Sequence, residues 1–181
     1  KDNAHQTGRH WVLTGYPPSF ADGQAKGMPF NELYPSIGSI VSRELGQRGA
    51  VPPYVEMPNP LGPGGPGFYG APYAPFTIDT DPVQPDFEVR DLNIAEGVDE
   101  DRLSLRRRLL EGADSESIAA NVTGRAKTMS SYYEKAFELA TSPEARRAFR
   151  IQDEPESMRQ RYGMSSIGQC SLLARRLVEA G

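Results

Sequence analysis

Fourteen of the 16 prolines in this 181-residue chain fall at or before Pro85, and the other two, Pro143 and Pro155, stand where a helix can begin. Proline fixes φ and has no N–H to give to a helix or a ladder, so the chain has two grammars that meet near residue 90. Between Pro58 and Pro85 lie eight prolines and five glycines, including Gly62-Pro63-Gly64-Gly65-Pro66-Gly67, which exclude a continuous helix or a central strand. Phe68, Tyr69, Tyr73 and Phe76 are interleaved with this run. Aromatic rings anchor loops by burial, so the spacing predicts an ordered loop or lid packed over a surface.

The flanks of the loop carry short elements. Pro35-Ser36-Ile37-Gly38-Ser39-Ile40-Val41-Ser42-Arg43-Glu44-Leu45-Gly46 places Ile37, Ile40 and Val41 at helical spacing and ends on glycine, which predicts a helix from about Ser36. Tyr54-Val55-Glu56-Met57, Phe76-Thr77-Ile78 and Phe87-Glu88-Val89 are short β-forming runs near prolines and read as brief strands. After Gly97, Asp99 can cap a helix that closes with Arg106-Arg107-Arg108, and a longer helix follows with Ile118, Val122, Met129, Tyr133, Ala136 and Ala140 on one stripe. Thr141-Ser142-Pro143-Glu144 reads as a capping box, and Asp153-Glu154-Pro155-Glu156 repeats the device. A last helix, from about Ser166 to Ala180, is expected to turn Ile167, Cys170, Ala174, Leu177 and Val178 inward. The expected organisation is one partial domain over 1–181: a helix, a second helix and a short strand over 1–57, the Pro/Gly/aromatic loop over 58–90 and a helical part over 91–181.

Composition narrows function mainly by exclusion. A net charge of -4 gives no basic field of the kind nucleic acid or an anionic membrane surface requires, and no run approaches the roughly 20 apolar residues that span a bilayer. The single Cys170 excludes an internal disulfide and a cysteine-built zinc site, and reads as a small buried helix residue. No phosphate-binding glycine loop, dinucleotide fingerprint, zinc-protease motif or nucleophile elbow occurs. Asp79, Asp81 and Asp86 have the residue type of a calcium loop, but Asp beside proline is ordinary turn chemistry. Arg106-Arg107-Arg108 and Arg175-Arg176 read as solvated helix ends, and Tyr132-Tyr133 as core or interface.

Both histidines lie within the first ten residues, in a segment that runs to Leu13-Thr14-Gly15-Tyr16-Pro17. On a helix, Asp2, His5 and Arg9 fall near one face while His10 points away from His5, so the two histidines are a poor metal pair. Asp2 with His5 could contribute to a metal site, and Arg9 one turn on could bind the anionic part of a substrate, a combination that phosphoryl or sulfuryl transfer needs. A polar helix face with an ordinary surface ion pair is the alternative.

Arg9, Leu13, Thr14 and Gly15 match by position the sulfatase signature C-x-P-S-R-x-x-L-L-T-G. His5 stands where that signature has its modified cysteine and Thr7-Gly8 replaces Pro-Ser, so the sulfatase nucleophile is missing. A wider resemblance rests on Leu13-Thr14-Gly15, Pro35-Ser36-Ile37-Gly38-Ser39, Pro52-Pro53-Tyr54-Val55, Gly67-Phe68-Tyr69-Gly70, Tyr73-Ala74-Pro75-Phe76, Ser142-Pro143-Glu144-Ala145-Arg146-Arg147-Ala148-Phe149, Arg161-Tyr162-Gly163 and Leu172 to Gly181. In these the chain resembles the domain of unknown function 1501 family, exported bacterial proteins grouped with the alkaline phosphatase and sulfatase superfamily.

The resemblance implies an α/β fold, here a predominantly helical internal fragment of an alkaline phosphatase-like sandwich with a few short strands and the long loop. It implies an exported or periplasmic ester hydrolase that uses zinc, calcium or manganese, most of whose metal ligands lie elsewhere in a longer parent. His5 would ligate metal with Asp2 or move a proton, Arg9 would hold a phosphate or sulfate oxygen, and Tyr69 and Tyr73 would touch a small anionic ester or a sulfated or phosphorylated glycan. The second reading is a non-catalytic binding or scaffold protein that uses the aromatic loop. Helices at both ends without a covering strand predict self-association.

Overall fold

A computed structural model describes residues 5–17, 33–59, 64–89 and 137–181, with residues 92, 102, 104, 105, 108 and 109 between them. Among the described residues, the helices with both ends placed are α1 His5–Thr14, α2 Ile37–Leu45, α3 Pro143–Phe149, α4 Glu156–Tyr162 and α5 Ser166–Glu179, accompanied by short 3-10 turns and two short strands, β1 Val55–Glu56 and β2 Phe76–Thr77. The described residues are thus mostly helical with one small parallel pair, in register Val55 to Phe76 and Glu56 to Thr77. Parallel strands need a crossover of a dozen or more residues, usually a helix. Here the connection is the Pro/Gly/aromatic run itself, whose described residues carry the 3-10 turns Gly67–Tyr69 and Ala71–Tyr73.

The core is made where this pair meets the C-terminal helices. Ile78, Phe87, Leu92, Leu139, Ala145, Phe149, Ile151, Leu172, Leu173 and Leu177 form one buried cluster with Val51, and Phe76 packs on Phe149 with ring centroids 5.8 Å apart. At about 2 kcal/mol for each fully buried aliphatic side chain, this cluster is the main source of stability for the C-terminal half. Ser142 caps α3 by accepting from the Ala145 amide at 3.1 Å, with Pro143 in the first turn, as its sequence predicts.

Several expectations need correction. The run Phe87-Glu88-Val89 is not a strand: Phe87 N–H closes a turn on Gln84 at 3.2 Å, and the Phe87 carbonyl accepts from Gln152 Nε2 at 2.8 Å. Asp81 Oδ1 accepts from the Val83 amide at 3.0 Å, the turn chemistry that Asp beside proline favours. The inward face of α5 is Gly168, Gln169, Leu172, Leu173 and Leu177, while Ile167 and Val178 stand exposed. Gln169 decides that rotation. Fully buried, it accepts from Arg159 Nε at 2.9 Å and donates to the Arg159 and Gly163 carbonyls at 3.0 and 2.9 Å, so it ties off the end of α4. Cys170 is left half-buried, and burial, then the charge of Asp81, pushes its thiol up.

The Asp153-Glu154-Pro155-Glu156 segment does not repeat the capping box, since no side chain caps α4. Glu154 reaches instead to α5, and Arg175 and Arg176 are not solvated helix ends. Arg176 Nη1 lies 2.5 Å from Glu154 Oε1, its Nε and Nη2 donate to the Ala148 and Arg147 carbonyls at 3.1 and 2.6 Å, and Arg175 Nη2 lies 3.2 Å from both Glu154 oxygens. The described positions 102, 104, 105, 108, 109 and 137–141 are helical. The Asp99 cap, Arg106-Arg107, Tyr132-Tyr133 and the stripe from Ile118 to Ala136 lie outside the described residues.

Removing one partner of a largely buried, hydrogen-bonded ion pair strands the other charge, so Glu154→Ala should lower unfolding free energy by about 2–3 kcal/mol. Urea unfolding checks it, and Glu179→Ala, on the exposed side of α5, should cost less than about 1 kcal/mol.

Candidate functional site

Helix α1 ends because Gly15 takes φ 75°, a left-handed conformation that glycine adopts without strain, while its amide still bonds the Trp11 carbonyl at 2.9 Å. Thr7, His10 and Thr14, at spacings of three and four, form the buried side of the helix. His5 and Arg9 lie one turn apart on the exposed side. Asp2 lies outside the described residues.

The buried side is polar and wired. Thr14 Oγ1 donates to the His10 carbonyl at 2.7 Å, and Tyr16 N–H donates back to Thr14 Oγ1 at 3.2 Å. His10 Nδ1 lies 2.9 Å from the Tyr16 carbonyl, which can only accept, so the network assigns the ring proton to Nδ1. Nε2 is then an acceptor, buried and without a hydrogen-bond partner among the described residues. Tyr16 stacks flat on Tyr34 with centroids 4.2 Å apart, and the edge of His10 meets the same ring at 6.5 Å. These contacts fix the orientation of α1 and so of the His5 and Arg9 face. The helical spacing that turns His10 away from His5 also places it with Thr7 and Thr14, and that spacing is the sequence signal for its burial.

A second polar cluster holds the aromatic loop. Ser36 caps α2 and its Oγ donates to the Gly64 carbonyl at 3.0 Å, while Ser36 N–H donates to the Gly65 carbonyl at 3.0 Å. Ser39 Oγ reaches that second carbonyl at 3.3 Å. Tyr54 Oη lies 2.5 Å from Glu56 Oε1 and 2.8 Å from the Gly64 carbonyl, and Glu56 is buried. Burial, then the hydrogen bond that the phenol donates to Glu56, holds the Tyr54 hydroxyl well above its ordinary range. The buried face of α2 is therefore its hydroxyl face, Ser39 and Ser42, whereas Ile37, Ile40, Val41 and Leu45 point outward, opposite to what amphipathic spacing suggests.

Beyond this clamp the loop turns on Gly67, at φ 52°, where an added Cβ would lie 2.3 Å from the Tyr34 carbonyl carbon and 2.4 Å from Pro35 N. The turn presents Phe68, Tyr69 and Tyr73 as a chain of edge-to-face contacts with centroids 5.0 and 6.0 Å apart. Arg43 of α2 lies over the Tyr69 ring at 4.3 Å, and Phe68 is 70% exposed. Tyr69 and Tyr73 thus form one platform. No described hydrogen bond or ion pair links it to His5 or Arg9. A cavity of about 360 Å³ lined by Phe87, Arg146, Phe149 and Arg150 holds none of these four residues.

Among the described residues no three His, Cys, Asp or Glu side chains come together as a metal site, and no helix is long and apolar enough to cross a membrane. This chain belongs to the DUF1501 family of proteins of unknown function. The family model matches residues 1–181. No curated protein and no solved structure matches the chain. For this DUF1501 chain the family assignment carries no activity, and function has to be argued from the two surfaces above.

Two outcomes follow from the clamp. Gly67→Ala should cost at least about 2 kcal/mol, since a side chain there is strained and meets backbone that cannot swing aside, and urea unfolding measures it. Because the folded state holds the Tyr54 proton more tightly than the unfolded state, stability present below the ordinary value of 10.0 should fall as pH rises above it. The decline above pH 10 should be shallower in Tyr54→Phe than in the wild type when unfolding free energy is followed against pH.

Proposed function

We propose that this chain supplies the anion-holding and proton-moving wall of a phosphate or sulfate ester hydrolase, on an alkaline phosphatase-like α/β parent that is exported. The observation that supports it is the pairing of His5 and Arg9, both exposed on one turn of α1, with the opposite side of that helix locked by His10, Thr14 and Tyr16. Side chains four apart on a helix have Cβ atoms about 5–6 Å from each other, a separation that lets both reach one tetrahedral ester. The Arg9 guanidinium would hold two non-bridging oxygens in its planar fork, where negative charge grows in the transition state. His5 would take a proton from the water that adds at phosphorus or sulfur and return it to the ester oxygen as that bond breaks, so that the alcohol leaves neutral.

The described residues do not fit a metal centre by themselves, because no three His, Cys, Asp or Glu side chains among them come together at His5. Zinc, manganese or calcium would need Asp2 or other residues outside those described to join His5.

A second reading is favoured by one observation, the exposure of Phe68 beside the Tyr69 ring that Arg43 covers. Aromatic faces beside a cation fit a sugar ring that carries sulfate or phosphate, so this platform supports a binding role with no chemistry.

Assays of aryl phosphate and aryl sulfate esters, with and without added zinc, manganese or calcium, separate the two readings. The hydrolase reading expects turnover that falls at least 100-fold in His5→Ala and Arg9→Ala, with circular dichroism unchanged because both side chains are exposed. Absence of turnover under every condition, with a sulfated glycan bound and lost in Tyr69→Ala, would leave only the second reading.

A further inference from the structure

The outward face of α2 has a physical consequence for assembly. Its inner face is consumed by hydroxyls that bond the Gly64 and Gly65 carbonyls, so Ile37, Ile40, Val41 and Leu45, at spacings of three, one and four, have no place in this chain's own core. Ile37 is 60% and Leu45 56% exposed. The stripe continues without a break into a groove of about 490 Å³ between α2 and the end of α5, lined by Val41, Leu45, Val55, Met57, Leu177 and Val178. Val178 is 81% exposed at its edge. One wall of that groove is Val55 of β1 with Met57 just beyond it, both partly buried against the core, so the stripe is continuous with core packing.

The geometry points to a second copy of this chain as the occupant, docked about a two-fold axis with the two α2 helices antiparallel. Area is the first argument. Ile37, Ile40, Val41, Leu45 and Val178 expose on the order of 500 Å² in each copy, so a symmetric pair buries about 1,000 Å², the lower bound of a specific interface and already at the upper end of the patches that monomers leave open. Self-complementarity is the second. An antiparallel pairing centred near Val41 sets Ile37 of one copy against Leu45 of the other and brings Ile40 and Val41 together at the axis, the isologous arrangement that closes at two. Charge is the third. Arg43 and Glu44 flank the stripe but pair with each other at 3.8 Å, and Arg43 lies over Tyr69, which leaves no lone charge from α2 at the centre of the contact. The dimer also carries the two aromatic platforms at its margins, since Arg43 belongs to both features.

Sedimentation velocity on the 181-residue chain, from micromolar to hundreds of micromolar, tests the assignment. A monomer–dimer equilibrium is expected, and Ile40→Glu or Val41→Glu should raise its dissociation constant at least tenfold while leaving circular dichroism unchanged, because both residues are on the surface of the monomer. Ile167→Glu, on exposed α5 surface away from the groove, should leave the constant unchanged. A monomer at every concentration overturns the proposal, including one whose α2 amides are protected from exchange by another segment of the chain. So does an open-ended series of larger species, or a dimer that responds to Ile167→Glu and not to the α2 substitutions.

Discussion

A backbone that cannot bond to itself has to borrow donors, and that constraint organises the N-terminal half of this protein. The Pro/Gly run carries carbonyls with few amides to match, and buried carbonyls without partners are costly. Ser36, Ser39 and Tyr54 supply what is missing: hydroxyls from the start of α2 and from the approach to β1 converge on Gly64 and Gly65, with Glu56 beneath them. Once the carbonyls are tied, the run can act as the crossover between two parallel strands, a task usually given to a helix. The turn at Gly67 and the platform of Phe68, Tyr69 and Tyr73 follow from that anchoring.

The same exchange explains why α2 is turned outside in. Hydrophobic burial would favour Ile37, Ile40, Val41 and Leu45 as the inner face, but the Ser36 and Ser39 hydroxyls, together with Tyr54, answer the Gly64 and Gly65 carbonyls from the other face. A neutral hydrogen bond is worth about 1 kcal/mol net, whereas leaving each carbonyl buried and unpaired costs about 1–3 kcal/mol, so satisfying the loop outweighs part of the apolar burial. At the other end of the chain, apolar packing around Leu172 and Leu173 dominates, and polar groups act as clamps between helices. Gln169 closes α4, and Glu154 joins the segment before α4 to α5 through Arg175 and Arg176.

What could be read from the sequence is what local chemistry decides. Proline and glycine placed the loop and the helix stops at Gly15 and Gly46, Ser36 and Ser142 marked helix starts, and the two β-forming runs that pair are among the three that were expected. The i, i+4 spacing also put His5 and Arg9 on one face. What could not be read is which face each helix buries when the deciding partner is distant in sequence. The Gly64 carbonyl selects the serine face of α2, the Gly163 carbonyl selects the Gln169 face of α5, and Gln152 takes the carbonyl that would have made Phe87 part of a ladder. His10 is a different case: the spacing of Thr7, His10 and Thr14 carries its burial, and only the bond to Tyr16, beyond the end of its helix, does not show in that pattern.

The claim that hydroxyls from α2 and from the β1 approach act as one clamp on the loop is tested most directly by a double-mutant cycle between Ser36→Ala and Tyr54→Phe. Unfolding free energies of the two single variants, the double variant and the wild type should give a coupling of about 1 kcal/mol, because both hydroxyls serve the same carbonyl and neither loss is independent. Additivity within about 0.3 kcal/mol would mean that the two groups stabilise the fold separately, and would contradict the account.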